Sequence, residues 1–213
     1  MRLYLVRHAQ TSWNNSGRAQ GHTDISLDPE GLEQAQRLAS AFEGVSVDRV
    51  LSSDLSRCVQ TAAPLADAVG IPLEQLKALR ERSFGDWEGI TFSEVGSRIQ
   101  ERATSRGITA QEVRPPGGES FLDVWNRLDP VHQMLRQSDD TIVVVSHGGA
   151  LSILLAQLVR GTLDTCRAFR FANTGITELE RRAEGLFLIT RYSDSSHLGS
   201  GLVLSGNIDG ITR

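Results

Sequence analysis

The sequence predicts an α/β protein, a three-layer α/β/α sandwich around a mostly parallel central sheet. Three observations carry this reading. Short apolar runs alternate along the chain with apolar stripes at helical spacing. The run Thr141 to Ser146, TIVVVS, is almost continuously apolar, as a strand covered by helices on both faces must be. Two such runs end directly in histidine, Val6-Arg7-His8 and Val145-Ser146-His147, which gathers polar groups at one edge of the sheet. Sheets of this kind bind ligands beyond the carboxyl ends of their strands.

Taken in order, Arg2 to Val6 reads as a buried first strand. Asp28-Pro29-Glu30 reads as a helix start, with Asp28 as cap and Pro29 in the first turn; Leu32, Ala35, Leu38, Ala39 and Phe42 follow at helical spacing. Asp48 to Ser52 is a second short strand. Helix signals resume at Ser53-Asp54, and Leu55, Cys58, Val59, Ala62, Leu65, Ala66 and Val69 form an apolar face that stops at Gly70. Leu73 to Leu79 is expected to be a third strand and Thr91 to Arg106 a helix. Arg114-Pro115-Pro116-Gly117-Gly118 is a loop, and Glu119 to Gln137 a helix with a bend expected at Pro130. After the strand at Thr141, His147-Gly148-Gly149 opens a helix through Val159. Ile176 to Glu180 and Leu186 to Arg191 pair as a hairpin around Glu184-Gly185. Residues 1–192 are therefore read as one domain, which suits a chain of 213 residues. From Ser193 onward the chain is polar and glycine-rich, so residues 193–213 are expected to form a poorly ordered tail.

Composition excludes several function classes. Hydrophobic residues make up 39% and charged residues 23%, an ordinary folded composition. No stretch approaches the ~20 apolar residues of a membrane span, and the first apolar run is too short for a secretory signal. Cys58 and Cys166 lack CxxC spacing, which argues against a disulfide framework or a zinc site and for two buried thiols in a reducing, cytoplasmic setting. A net charge of −4 gives no general attraction to nucleic acid or to an anionic membrane. No metal-ligand cluster is evident, and no metal or other cofactor is expected. The sequence leaves a homodimer open and does not fix the oligomeric state.

Five blocks carry a resemblance. Leu5-Val6-Arg7-His8-Ala9-Gln10-Thr11-Ser12-Trp13-Asn14 resembles the opening signature of the histidine phosphatase superfamily, which includes the cofactor-dependent phosphoglycerate mutases. Gln20-Gly21-His22-Thr23-Asp24 with Leu27-Asp28-Pro29-Glu30-Gly31 resembles the next block, and Ser52 to Ala62, with Arg57, the second arginine block. Leu79-Arg80-Glu81 with Gly85-Asp86-Trp87-Glu88-Gly89 resembles the acid block, and Val144 to Gly149 the second histidine block. An isolated Arg-His pair means nothing; five blocks in order across residues 2 to 190 are specific. Ala9 stands where the family signature usually has glycine, which matters only if that position needs φ > 0.

The resemblance implies a phosphoglycerate mutase-like fold and a phosphatase acting on a small phosphomonoester. His8 would be the nucleophile, needing one neutral nitrogen and an acceptor, such as a backbone carbonyl, on the other. Arg7, Arg57 and His147 would neutralise the phosphoryl oxygens. Glu81 would be the general acid, ahead of the competing Glu88. Asn14, Gly21, Thr23 and Gly148 match positions that contact phosphate or substrate in the family. Singly, each residue has a plain structural reading; jointly, the coincidence is too great. His22 and His132 are read as structural or surface residues and Trp87 as packing. Arg98, Arg102 and Arg106, on one helical face, are read as a solvated stripe rather than as a wall for an acidic substrate. A phosphoglycerate mutase is the second reading and a non-catalytic phosphate binder the third. Trp87-Glu88-Gly89-Ile90-Thr91 resembles the phosphatase branch, and no adjacent arginine pair lies between Glu81 and Pro115. All three chemical groups that a binder would dispense with, His8, His147 and Glu81, are kept.

Overall fold

A computed structural model describes residues 1–182 and 185–199. Its core is a six-stranded sheet of order β3-β2-β4-β1-β5-β6, made of β1 (Arg2–Arg7), β2 (Arg49–Ser52), β3 (Leu73–Gln75), β4 (Ile142–Ser146), β5 (Ile176–Arg181) and β6 (Phe187–Asp194). The first four strands are mutually parallel; β5 lies antiparallel to β1, and β6 antiparallel to β5.

The two-residue period of a strand sends alternate side chains to two separate cores. Leu3 and Leu5 of β1 and Val144 of β4 pack against α5 (Phe121–Gln137) and α6 (Gly148–Leu158) through Val124, Leu128, Leu151 and Leu154. Tyr4 and Val6, with Val143 and Val145, face the other way, onto α2 (Pro29–Ala41) and α3 (Ser56–Val69), through Leu38, Ala62 and Leu65. This is the predicted three-layer sandwich. A third, smaller cluster joins Trp87 to Val95, Ile99 and Ala103 of α4 (Phe92–Arg106). A single helical turn, α1 (Ser12–Asn15), follows β1.

Local chemistry sets the helix ends. Asp28 accepts from the Gly31 N–H at 2.8 Å and Pro29 occupies the first turn of α2. Capping boxes at Thr11/Asn14, Thr91/Glu94 and Ser120/Asp123 start α1, α4 and α5. Gly70, at φ 72°, terminates α3.

Three expectations need correction. Leu32 is 50% exposed and does not belong to the buried face of α2. The third strand stops at Gln75, and Lys77–Leu79 forms a 3-10 turn that sinks Leu79 into the core instead of extending the edge of the sheet. Ser193 and Asp194 belong to β6, and a 3-10 turn at Ser196–Leu198 accepts a hydrogen bond from Arg37 on α2, so the ladder and this tertiary contact order the start of the expected tail. Residues 200–213 of that tail, and Glu184 in the hairpin, lie outside the described residues.

Candidate active site

The parallel strands β1, β2 and β4 end side by side, and each is followed by a polar residue: His8, Ser53 and His147. His8 is buried. Its backbone N–H donates to Ser146 O at 2.8 Å, which ties the end of β1 to the end of β4. Its Nδ1 lies 2.7 Å from Ala9 O. A carbonyl can only accept, so Nδ1 carries the proton and Nε2 carries a lone pair. Burial, then the Arg57 and Arg7 charges, hold the imidazole well below the ordinary histidine range, against the pull of the Ala9 hydrogen bond. His8 is therefore neutral at physiological pH. The Ala9 peptide is itself fixed, because its N–H donates to Thr61 Oγ1 at 2.9 Å and that hydroxyl donates to Arg57 O at 2.6 Å. Ala9 is not in the left-handed region, so alanine in place of glycine is unstrained.

Arg57, on the first turn of α3, is fully buried. Three of its five N–H groups are used: Nε to His147 Nδ1 at 3.2 Å, Nη1 to Thr23 O at 2.9 Å and Nη2 to Gly21 O at 2.8 Å. His147 accepts at Nδ1, so its proton sits on Nε2, 2.9 Å from Ser53 Oγ. Its ring stands edge-on to that of His8, with centroids 5.2 Å apart. Burial first, then Arg57, His8 and Arg7, keep it neutral as well. Arg7 donates from Nη1 to Phe171 O at 2.8 Å, while its buried Nε has no hydrogen-bond partner among the described residues. A buried N–H without a protein partner is costly, and here it is a charged donor able to take a ligand oxygen.

Glu81 lies across the N-terminus of α6. Its carboxylate accepts from Gly149 N at 3.0 Å, Ala150 N at 3.1 Å and Arg82 N at 2.9 Å. Glu88 has a different task. It accepts from the N–H groups of His22 and Thr23, each at 2.8 Å, from Phe84 N at 3.1 Å, and from the Thr23 hydroxyl. Glu88 thus clamps the loop whose carbonyls, at residues 21 and 23, hold Arg57. Gly21 is required there: its φ is +54° and a Cβ would stand 2.2 Å from Glu88 Oε1.

The remaining sequence candidates divide. Gly21 and Thr23 meet Arg57 through backbone carbonyls, and the Thr23 hydroxyl proton goes to Glu88. Asn14 commits its Oδ1 to Thr11, leaving its Nδ2 donors. Gly148 is the first residue of α6, directly after His147. His22 lies nearer the site than expected, with Nε2 donating to Glu81 O at 2.8 Å, whereas His132 is buried in α5 beside Asp129. Trp87 is packing, buried under Arg98 and Arg102 at 5.8 and 5.2 Å from its ring; Arg106 sits in the exposed last turn of α4. Cys58 and Cys166 are free and buried, and burial pushes their thiols up to about 12 and about 11. Sequence reasoning missed Thr61, Ser53 and Asn173, whose Nδ2 donates to His8 O at 2.8 Å. A hydroxyl or carboxamide that serves a backbone group in another element leaves no pattern in sequence.

Among the described residues, no three His, Cys, Asp or Glu side chains are grouped to hold a metal ion, and no helix is long and apolar enough to cross a membrane. Two arginines and two neutral, buried histidines at the carboxyl end of a parallel sheet define a phosphate-handling enzyme. The chain belongs to the histidine phosphatase superfamily (branch 1), whose model matches residues 3–195. It is a histidine phosphatase, and the phosphatases similar to it have several substrates. It is 37% identical over 172 residues to a glucosyl-3-phosphoglycerate phosphatase of Mycolicibacterium vanbaalenii, covering 74% of each chain. It is 31% identical over 218 residues to a metal-independent phosphoserine phosphatase of Arabidopsis thaliana, covering 98% of this chain and 87% of the relative. The structure matches that of the alpha-ribazole phosphatase from Shigella flexneri with a TM-score of 0.81 at 28% identity, covering 92% of this chain and 97% of that one.

Proposed function

We propose that this protein hydrolyses small phosphomonoesters through a phosphohistidine on His8, with Glu81 as proton donor. The observation that carries the reading is the Nδ1–H to Ala9 O hydrogen bond, which leaves the lone pair on Nε2 of an imidazole kept neutral by burial and two arginines. Nε2 attacks phosphorus as the ester P–O bond breaks, and the departing alkoxide takes the Glu81 proton. The imidazole becomes cationic, and Ala9 O stabilises its Nδ1–H. A water then attacks phosphorus, losing its proton to Glu81; the N–P bond breaks, and phosphate leaves with His8 neutral again. Arg7 and the two unused N–H groups of Arg57 balance the phosphoryl charge, with the Asn14 Nδ2 and the Gly148 end of α6 as further donors. His147 aligns Arg57, and its own N–H reaches the phosphoryl only by exchanging Ser53. Arginines in place of a divalent ion make the chemistry metal-independent in this reading, and the free, buried thiols suit a cytoplasmic setting.

The test is phosphate release from glucosyl-3-phosphoglycerate, alpha-ribazole phosphate, phosphoserine and sugar phosphates, with and without EDTA. Rapid quenching should trap an acid-labile, base-stable phosphoprotein in wild type and none in His8→Ala. Wild-type turnover in His8→Ala overturns the mechanism. Activity lost in EDTA and restored by a divalent ion overturns metal independence. Interconversion of 2- and 3-phosphoglycerate faster than phosphate release promotes the mutase reading.

A further inference from the structure

The chain leaves the sheet after Gln75, and from Ala78, within the 3-10 turn, to Glu81 its carbonyls are held by side chains. Ala78 O accepts from Arg127 Nη1 at 2.7 Å, Leu79 O from Ser146 Oγ at 2.6 Å, and Arg80 O from Arg127 Nη1 at 2.9 Å. Glu81 O accepts from Arg127 Nη2 at 3.0 Å and from His22. Four consecutive carbonyls thus end on side chains, three of them on one guanidinium. The other two contacts of Arg127 run to Glu119, from Nε at 2.9 Å and Nη2 at 3.1 Å, so all five N–H groups are engaged. Glu119 in turn accepts from Ser83 N at 2.9 Å, and its own N–H donates to Ser83 O at 2.9 Å. The Arg127–Glu119 pair therefore straddles Glu81, gripping carbonyls up to residue 81 and the peptide groups of residue 83. Both side chains lie on or beside α5, whose inner face is fixed in the core. Neither contact touches the Glu81 carboxylate.

We infer that Arg127 is a positioning residue for the proton donor: through the backbone of residues 78–81, and with Glu119 as its anchor, it sets where the Glu81 carboxylate stands against the leaving oxygen. A planar fork with five donors suits this task, and an ammonium does not. The inference rests on the proposed role of Glu81. A displacement of about 1 Å at a reacting group costs on the order of 10²-fold. The loss should fall only on esters that need the proton.

The experiment is a double-mutant cycle read by the pre-steady-state burst with phosphoserine and with 4-nitrophenyl phosphate. Arg127→Met, Arg127→Lys and Glu119→Gln are measured in wild type and in Glu81→Gln. The ratio of the two bursts is independent of how much protein folds. Arg127→Met should lower phosphorylation by phosphoserine by about 10²-fold relative to the nitrophenyl ester, Arg127→Lys should recover part of it, and neither should lower the ratio further in Glu81→Gln. Equal losses for both esters, or the same drop in ratio in both backgrounds, overturn the inference while leaving Glu81 in place. If Glu81→Gln alone leaves the ratio unchanged, the proton-donor reading falls and the inference with it. Should Arg127→Met not fold, Glu119→Gln must show the same change in ratio, and a wild-type ratio there overturns it.

Discussion

Glu81 and Gly149 lie so close together that a side chain at residue 149 would displace the Glu81 carboxylate. Glu81 Oε2 accepts from Gly149 N at 3.0 Å, and a Cβ on Gly149 would stand 2.6 Å from Glu81 Oε1. Gly149 lies in the first turn of α6 outside the left-handed region, so alanine suits its backbone. Gly149→Ala should leave the melting temperature near that of wild type, because up to ~1 kcal/mol of helix propensity offsets the loosened hydrogen bonds from residues 149 and 150. The flexible Glu81 carboxylate has to move instead. Hydrolysis of alkyl phosphates should fall while 4-nitrophenyl phosphate still phosphorylates His8. A Gly149→Ala enzyme with wild-type turnover on phosphoserine would show that the carboxylate need not sit on the end of this helix.

The two glutamates of the acid block should fail in different ways. Glu81→Gln cannot protonate a leaving alkoxide, so the alkyl burst should drop by about 10²- to 10⁴-fold, with little change for the nitrophenyl ester. Glu88 instead clamps the loop that holds Arg57. Glutamine there offers an amide to N–H donors that need an acceptor, at a cost of about 1–3 kcal/mol. Glu88→Gln should destabilise the fold and weaken both esters alike. Leaving-group dependence in Glu88→Gln and none in Glu81→Gln would exchange the two roles.

This division marks what the sequence could disclose. The gathering of His8, Arg57 and His147 at one edge of the sheet follows from strand ends and ordered blocks, and the cap at Asp28-Pro29 has a local cause, so these placements were readable. The task of Glu88 was not, because its partners are N–H groups of residues 22, 23 and 84, which every residue but proline carries. The acceptor for His8 was foreseeable as a carbonyl but not as that of Ala9. Ser53, expected at the end of the second strand and the start of a helix, lies before the helix, and its hydroxyl accepts from His147 Nε2, a partner no local pattern names. Contacts between backbone groups and distant side chains depend on the tertiary fold and have no period.

Thr61 joins the two halves of the proposed phosphate site, taking the Ala9 N–H and donating to Arg57 O. Thr61→Val keeps the shape and leaves a buried N–H unpaired, a loss of about 1–3 kcal/mol. The Ala9 peptide that orients His8 loosens, so burst rates should fall for both esters, and Thr61→Ser should restore them. Chemical denaturation and rapid quench together check this. An undiminished burst in Thr61→Val would mean that the Ser146 and Asn173 contacts suffice to hold His8.

Two neutral, buried histidines make stability depend on pH in a defined window. Burial, Arg57 and Arg7 hold His8 well below the ordinary 6.5, and the same causes, with His8 itself, act on His147. Above 6.5 both imidazoles are neutral whether the chain is folded or not, and their contribution is at its full value. Below 6.5 the unfolded chain takes up protons that the folded chain refuses. The unfolded state then binds more protons, and stability falls with falling pH. Each histidine adds a slope of up to about 1.4 kcal/mol per pH unit. His132 and His197, also lowered by burial, act in the same direction to a lesser extent. Urea unfolding from pH 7 down to about pH 5, above the ordinary carboxylate range, should show this decline, and His8→Asn should remove one histidine's share of the slope. The same shift bears on catalysis. If His8 is the nucleophile proposed above, its staying neutral well below 6.5 means that the acid limb of kcat/KM should not lie at the ordinary histidine value. A stability profile flat from pH 7 to pH 5, together with an acid limb near 6.5, would mean that His8 takes its proton in the folded state as freely as in water, and the two arginines would then not be acting on it as the geometry requires.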